Sequence, residues 1–393
     1  MKFVGGNHLT LLRNGNEYFP SLVDAIDSAS TEVFLQTYIF AEDKTGIGVA
    51  NALARAATRG VSVRLLLDGF GAHTFTPRFR RTLESAGVEV LVFGPRISPW
   101  TLRRGRLRRM HRKLTCVDGC VAFVGGINVI DDYDTPTTRS PRYDYAVRIE
   151  GPLSREVRAA AMRLWQRVFW VTFRRRSPGL RVPAHPKVAT GPVASGAMSD
   201  NQHAALVMRD SVRHRRDIEK GYLEHIDGAH EEVLIACAYF LPGRSFRRAL
   251  IAAVARGTRV VLLLQAHDEY ALLQYGSRAL YGALLDAGIE IREYHRGFLH
   301  AKVAVFDRRF ACVGSSNIDP FSMLLALEAN LFVDDRAFAE KLRESLQEAM
   351  SVGSNPVPPD QWKRRPLGVR AQMWIAYAVV RLLAGLSGYE RNN

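Results

Sequence analysis

Apolar and polar positions along this chain follow one plan written twice. Thr31-Glu32-Val33-Phe34-Leu35 and Glu231-Glu232-Val233-Leu234-Ile235 read as strands, and each leads into an aromatic segment, Tyr38-Ile39-Phe40 or Ala238-Tyr239-Phe240. An alanine-rich helical pattern follows and stops at Arg59-Gly60-Val61 in the first copy and Arg256-Gly257-Thr258 in the second, where glycine supplies the helix end. Buried-strand runs come next, Val63-Arg64-Leu65-Leu66-Leu67 and Val260-Val261-Leu262-Leu263-Leu264. A second helix in each copy ends at Ala86-Gly87-Val88 or Ala287-Gly288-Ile289.

Strands alternating with helices predict an α/β fold of two duplicated domains. Each is expected to be a mostly parallel sheet covered by helices on both faces, one sheet per half. A repeat spacing of about 200 residues is that of a duplicated domain and not of a solenoid. The expected division is a first domain over 1–173, a linker over 174–202 rich in Pro, Gly and small residues, a second domain over 203–352, and a tail over 353–393.

Composition adds a direction. The 393 residues, 47% hydrophobic and 24% charged, suit two globular cores, and a net charge of +15 favours anionic partners. The cysteines, Cys116, Cys120, Cys237 and Cys312, lie scattered in apolar runs and read as reduced core residues. The N-terminal residues lack the long apolar stretch of a secretory signal, which places the catalytic body in the cytoplasm. Near the C-terminus, 374–389 is apolar over about 16 residues, short of the ~20 that a spanning helix needs, and carries Arg381 in its middle. With Lys363, Arg364, Arg365 and Arg370 before it, the segment reads as an interfacial amphipathic helix, with a helix docked on the core as the alternative.

Chemistry enters with Met110-His111-Arg112-Lys113-Leu114-Thr115-Cys116-Val117-Asp118. The second copy carries the same H-x-K-x-x-x-x-D spacing in His300, Lys302 and Asp307. One such match is expected on the order of 0.01 times by chance at this composition, so two in register with a repeat are not accidental. Gly125-Gly126-Ile127-Asn128 and Gly314-Ser315-Ser316-Asn317 extend the agreement, each asparagine 17 residues after its histidine.

Residues two apart on a strand share a face, so His111 and Lys113 project together, as do His300 and Lys302. That pair suits a phosphate and not a dry core. If the halves pack face to face about a pseudo-twofold axis, the four groups form one shared active site acting on a phosphodiester. One neutral histidine attacks phosphorus and the other protonates the leaving alkoxide. Lys113, Lys302, Asn128, Asn317 and Ser315 or Ser316 neutralise the non-bridging oxygens, and no metal or other cofactor is required. Asp144 and Glu328, 33 and 28 residues past their histidines, are the expected orienting carboxylates. Asp118 and Asp307 stand at strand ends, where a short carboxylate fixes a turn.

These residues resemble the phospholipase D superfamily, whose members carry two H-x-K-x4-D motifs in duplicated α/β halves. Within it the chain is similar to the bacterial cardiolipin synthases of the B-type, on NGNEYFPSLVDAI, LLLDGFG, RRMHRKLTCVDGCVAFVGGIN, DYAVRIEGP, YFLPG, FLHAKVAVFD and VGSSNIDPFSM. The resemblance implies phosphatidyl transfer between two phosphatidylglycerol molecules through a phosphohistidine, with release of glycerol. It carries over His111, Lys113, Asp118, His300, Lys302 and Asp307 as catalytic, with Asn128 and Asn317; His111 is favoured as the nucleophile. It further implies peripheral attachment to the cytoplasmic side of the bacterial inner membrane. The basic run Arg103-Arg104-Gly105-Arg106-Leu107-Arg108-Arg109 fits attraction to anionic lipid. Two rival activities use the same motifs, a hydrolase releasing phosphatidic acid and a nucleic-acid phosphodiesterase. Against the second, no aromatic-basic surface for stacking bases stands out, and no nucleic-acid partner is expected.

Overall fold

In the computed structural model, residues 1–94, 108–135, 140–176, 201–210, 214–267, 271–323 and 325–386 are described. The first half runs β1 (Val4–Arg13), α1 (Asn14–Asp27), β2 (Glu32–Thr37), α2 (Lys44–Thr58), β3 (Ser62–Asp68), α3 (Pro77–Ser85), β4 (Glu89–Phe93), β5 (Arg109–Met110), β6 (Lys113–Val117), β7 (Val121–Gly125), β8 (Tyr145–Glu150) and α4 (Pro152–Arg176). The second half runs β9 (Gln202–Arg209), α5 (Asp217–Gly228), β10 (Glu232–Cys237), α6 (Arg244–Ala255), β11 (Arg259–Gln265), α7 (Ala271–Arg278), α8 (Tyr281–Asp286), β12 (Glu290–Tyr294), β13 (Lys302–Phe306), β14 (Phe310–Gly314), β15 (Ala326–Asp334) and α9 (Arg336–Gly353). β16 (Ser354–Pro356), α10 (Pro359–Lys363) and α11 (Leu367–Leu386) complete the chain. The expected linker falls almost wholly outside the described residues.

The glycine stops are where the sequence puts them. Gly60 and Gly257 both take φ +91°, a conformation that side chains with a Cβ resist, and α2 and α6 end beside them.

The sheet departs from expectation twice. Among the described residues, the parallel runs are β2–β3–β4 and β10–β11–β12, besides a two-residue contact of β5 with β15. Antiparallel pairs β1–β8, β8–β7, β7–β6 and β6–β2 fill the rest of the first half, with the same pattern in the second, so the sheet is mixed and not mostly parallel. The cause is local. β6 and β7 are joined by a tight turn at Asp118 (φ 52°) and Gly119 (φ 68°), and β13 and β14 by Asp307 (φ 49°) and Arg308 (φ 51°). Two successive positive-φ residues make a hairpin, whose strands are antiparallel by construction.

Nor does each half keep a sheet to itself. β1 and β9, the outermost strand of each copy, pair antiparallel with one another and join both halves in one sheet. Pairing removes two open edges that a separate sheet would leave exposed. Read from either end toward the β1–β9 junction, corresponding strands come in the same order, β16 aside.

A single buried cluster unites the halves, with Leu11, Leu114, Val124 and Val147 of the first beside Val303, Val313 and Leu331 of the second. α4 and α9 supply Leu153 and Val157, and Phe338 and Leu342, to the same cluster. Each half has its own second core, between its strands and α1–α2 or α5–α6. Cys116, Cys237 and Cys312 are buried free thiols and Cys120 is half-buried.

α11 is longer than the apolar run in the sequence, because Leu367 to Gln372 are helical before it. Its 20 residues reach the length a bilayer crossing requires. It lies on α7, docked by one face and exposed on the other. Met373, Ala376, Val380 and Ala384 are buried, while Trp374, Ile375, Leu382 and Leu383 face outward, exposed.

Candidate active site

Two short backbone contacts between the halves bring the motifs together. β5 pairs in parallel with the start of β15, Arg109 against Ala326 and Met110 against Leu327, so the next residues on each strand, His111 and Glu328, emerge side by side. Tyr143 bridges Leu299 in parallel, and the next residues there are Asp144 and His300. The His111 and Arg112 amides donate to the Leu327 carbonyl at 3.0 and 2.9 Å, and the His300 amide to the Tyr143 carbonyl at 2.9 Å.

The orienting carboxylates are therefore exchanged. His111 Nδ1 is hydrogen-bonded to Glu328 Oε1 at 3.0 Å, and His300 Nδ1 to Asp144 Oδ2 at 2.6 Å. Spacing pairs each histidine with the carboxylate downstream in its own half; that assignment is corrected, since inter-half register decides which carboxylate is adjacent. With Nδ1 engaged, Nε2 is the nitrogen each ring can offer a substrate. The histidine side chains stay 17% and 14% exposed, enough for a ligand to reach a ring edge.

The two lysines lie beneath, buried. Lys113 Nζ donates to the His111 carbonyl at 2.7 Å, and Lys302 Nζ donates to the His300 carbonyl. Burial is the largest influence on the titration of Lys113, Asp144, His300 and His111. It pulls Lys113 down to about 7, helped by repulsion from Lys302. It pushes Asp144 up to about 7 against the pull of Lys302. Burial, then Lys302, Lys113, Arg142 and His111, holds His300 well below its ordinary value. His111 is lowered by burial while Glu328 works the other way. Each motif lies within the electrostatic reach of the other.

The other expected residues divide. Asn128 Oδ1 accepts from the Ile39 amide at 3.2 Å, and Asn317 Oδ1 lies 4.0 Å from Cys237 Sγ. Ser315 and Ser316 are fully buried. Ser315 Oγ donates to Glu328 Oε2 at 2.5 Å, and Ser316 Oγ donates to the Asn317 carbonyl at 3.2 Å, so both hydroxyls turn inward and not toward a substrate. Gly126 occupies the place of Ser315 in the first half, where a Cβ would stand 2.4 Å from Asp144 Oδ1. Asp118 and Asp307 sit at the far ends of β6 and β13 from the histidines. Asp118 accepts the amides of Ser30, Thr31 and Glu32 at 2.8 Å each, and Asp307 those of His230, Glu231 and Glu232 at 2.8 to 3.0 Å.

Sequence reasoning left several residues of this site without a role. The Tyr38 ring meets His111 edge-on at 4.9 Å, with Lys113 Nζ 5.5 Å from its centre. Phe298 stacks on His300 at 6.4 Å, and Arg142 covers Phe298 at 5.7 Å with a buried Nη1 that has no hydrogen-bond partner among the described residues. Buried Asp68 accepts the Met110 amide at 2.8 Å and so anchors β5. The aromatic run at 38–40 was the one visible signal among these. Of the basic cluster before His111, residues 103–107 lie outside the described residues.

Among the described residues, no group of three or more His, Cys, Asp and Glu side chains is arranged to hold a metal ion. Lys113, Lys302 and Arg142 are cationic side chains of the site.

Comparison with known proteins fits this arrangement. The chain is 34% identical to cardiolipin synthase B of Escherichia coli over 98% of its length and 90% of that protein's. It is 37% identical to cardiolipin synthase B of Salmonella typhimurium, over 91% of this chain and 85% of the relative. The crystal structure of phosphatidylserine synthase from Haemophilus influenzae shares the fold, with a TM-score of 0.67 at 12% identity, covering 96% of this chain and 95% of that one. A family model described as cardiolipin synthase, PLD-like domain matches twice, over residues 22–165 and 222–350, one match to each half. With its doubled motif, its two matched halves and its near full-length relatives, this chain belongs to the cardiolipin synthase, PLD-like domain family.

Proposed function

We propose that this chain is a phosphatidyltransferase that makes cardiolipin from two phosphatidylglycerol molecules in one active site shared by its halves, related by a pseudo-twofold axis. The observation that carries the proposal is the exchange of carboxylates, Glu328 on His111 and Asp144 on His300. It ties each imidazole to a carboxylate of the other half, which supports a single site built from both motifs.

His111 Nε2 attacks phosphorus, forming a P–N bond as the P–O bond to glycerol breaks. His300 gives its proton to the leaving glycerol oxygen. A headgroup hydroxyl of a second phosphatidylglycerol then passes its proton to His300, and its oxygen displaces His111 from phosphorus. Cardiolipin leaves and both rings return to their starting state. The short bond between His300 and Asp144, a carboxyl near 7, keeps a proton in that pair over the neutral range, which suits His300 to the acid role. Lys113, Lys302, Asn128 and Asn317 neutralise the non-bridging oxygens. Arg142, over the Phe298 ring beside His300, adds positive charge on the side of the acceptor lipid.

The outward face of α11 is the proposed contact with the membrane. Trp374, Ile375 and Leu382 enter the lipid interface while the opposite face stays docked, a peripheral attachment on the cytoplasmic side of the inner membrane.

Purified protein incubated with labelled phosphatidylglycerol in anionic vesicles is expected to release glycerol and cardiolipin in equal amounts. His111→Ala and His300→Ala should each abolish both products. Phosphatidic acid in place of cardiolipin would reassign the enzyme as a hydrolase.

A further inference from the structure

A cavity of about 780 Å³ opens behind the motif strand, between α4 of the first half and β9 and α5 of the second. Arg112, the middle residue of His111-Arg112-Lys113, turns to it, away from the side on which His111 meets Glu328. Its buried guanidinium donates to Gln36 Oε1 at 2.9 Å and to the Ala160 carbonyl of α4 at 3.1 Å. Lys2, Arg163, Arg167, Arg209 and Lys220 also line the cavity.

Among the described residues, two of these charges have no counter-ion. Arg163 and Arg167, one turn apart and exposed on α4, make no hydrogen bond or ion pair with any described residue. Of the four carboxylates at the cavity, Asp210 and Asp217 are both engaged by His214. Arg209 is 1% exposed. It donates through Nε to the Met323 carbonyl and through Nη1 to that of Ala326, yet its buried Nη2 meets no acceptor among the described residues. A guanidinium buried with an unsatisfied N–H is costly unless a ligand completes it.

The second half shows that the scaffold does not need these cations. Aligning Leu153, Val157 and Ala161 of α4 with Phe338, Leu342 and Leu346 of α9, all buried, puts Arg163 at the position of Glu348. There Glu348 pairs with Arg13 at 2.7 Å, and the hydroxyls of Tyr143 and Tyr145 close on Ser345 at 3.1 and 2.8 Å. One junction is filled and charge-paired. The other is open and basic.

We propose that the open junction is a second anion site, which binds a phosphate-bearing group attached to glycerol. Arg163 and Arg167 grip the phosphoryl oxygens, as guanidinium groups do in fork geometry, and the buried Arg209 adds positive charge behind them. Leu164, Leu206 and Met208, also at the cavity, meet the carbon body. An anionic lipid headgroup and a soluble phosphate ester share this chemistry. Basic clefts between structural elements are common seats for anionic headgroups. The site stands apart from the transfer chemistry, since it uses none of the groups assigned to that reaction.

The test is arginine-selective labelling of the full chain with phenylglyoxal, read residue by residue by mass spectrometry. Separate arms add dihexanoylphosphatidylglycerol as dissolved monomer, glycerol phosphate, inorganic phosphate, and dihexanoylphosphatidylcholine. Ligand at about ten times its Kd should slow labelling of Arg163 and Arg167 about tenfold, with exposed Arg78 and Arg81 on α3 unaffected. Protection by the anionic lipid alone assigns a headgroup site, and protection by either soluble phosphate assigns a site for the phosphoryl group itself. Failure of all arms, or equal protection by the zwitterionic lipid, overturns the proposal. In a second measurement, made with Lys113→Met/Lys302→Met to remove the lysines of the transfer site, dihexanoylphosphatidylglycerol should raise Tm, and adding Arg163→Gln/Arg167→Gln should abolish that rise; a rise that survives the added substitutions overturns the proposal as well. Neither readout depends on turnover, so an inactive preparation tests the site equally.

Discussion

Lys113 is the residue whose environment has the plainest consequence. Its ammonium titrates near 7 in the folded chain, against 10.5 for an ordinary lysine. Between those values the unfolded chain binds the extra proton, so this group makes stability rise with pH from about 7 to 10.5. Asp144 does the reverse below neutrality, because the folded chain holds its proton from 3.8 up to about 7 and loses that contribution as pH climbs through the window. Both groups leave the empty site least favourable near pH 7. A phosphodiester anion beside Lys113 restores the charge, so binding above pH 7 should take up a proton from solution. Calorimetry of a phosphodiester analogue in buffers of different ionisation enthalpy should show that uptake in the wild-type protein and not in Lys113→Met. The same variant should lose the stability gain between pH 7 and 9. At this scale the sequence reveals which groups do chemistry, because two strand-spaced cations in duplicate have no packing rationale. It conceals their partners, since Glu328 meets His111 only through a register between distant strands.

At the scale of the element, the motif aspartates belong to a hairpin. Asp118 sits at φ 52° and ties down three successive amides, and Asp307 does the same at φ 49°. Asp118→Ala should therefore lower Tm, with a loss of about 1–3 kcal/mol for the amides left unpaired. Its kcat per folded molecule should match wild type. A fall in kcat of about 100-fold with Tm unchanged would instead make this carboxylate a participant in proton transfer. Both roles share one sequence signature, and only the distance along β6 separates them. The duplicated strand–helix order was legible in the same way, from glycine stops and apolar runs. The antiparallel half of each sheet was not, because hairpins set by two positive-φ residues leave a fainter mark than an alanine-rich helix.

At the scale of the whole molecule, α11 joins the chain's surface to its proposed surroundings. Its docked face is held by Met373, Ala376, Val380 and Ala384, so the outward side chains can be changed without disturbing the fold. Replacing Trp374, Ile375 and Leu382 by glutamine should weaken binding to phosphatidylglycerol vesicles by about 100-fold or more, since each buried apolar side chain contributes about 2 kcal/mol. Cosedimentation measures the loss, while Tm and turnover of detergent-dispersed lipid should stay as they were. Unchanged cosedimentation would move the membrane contact elsewhere. The crossed carboxylates have a consequence for the molecule as a whole. Any breathing motion that parts the halves withdraws the partner of both imidazoles together, so a loosened chain goes silent and does not become a sloppy catalyst. An enzyme that works amid its own building material, where a stray water could destroy lipids by the thousand, thus carries its safety interlock in the topology of the chain.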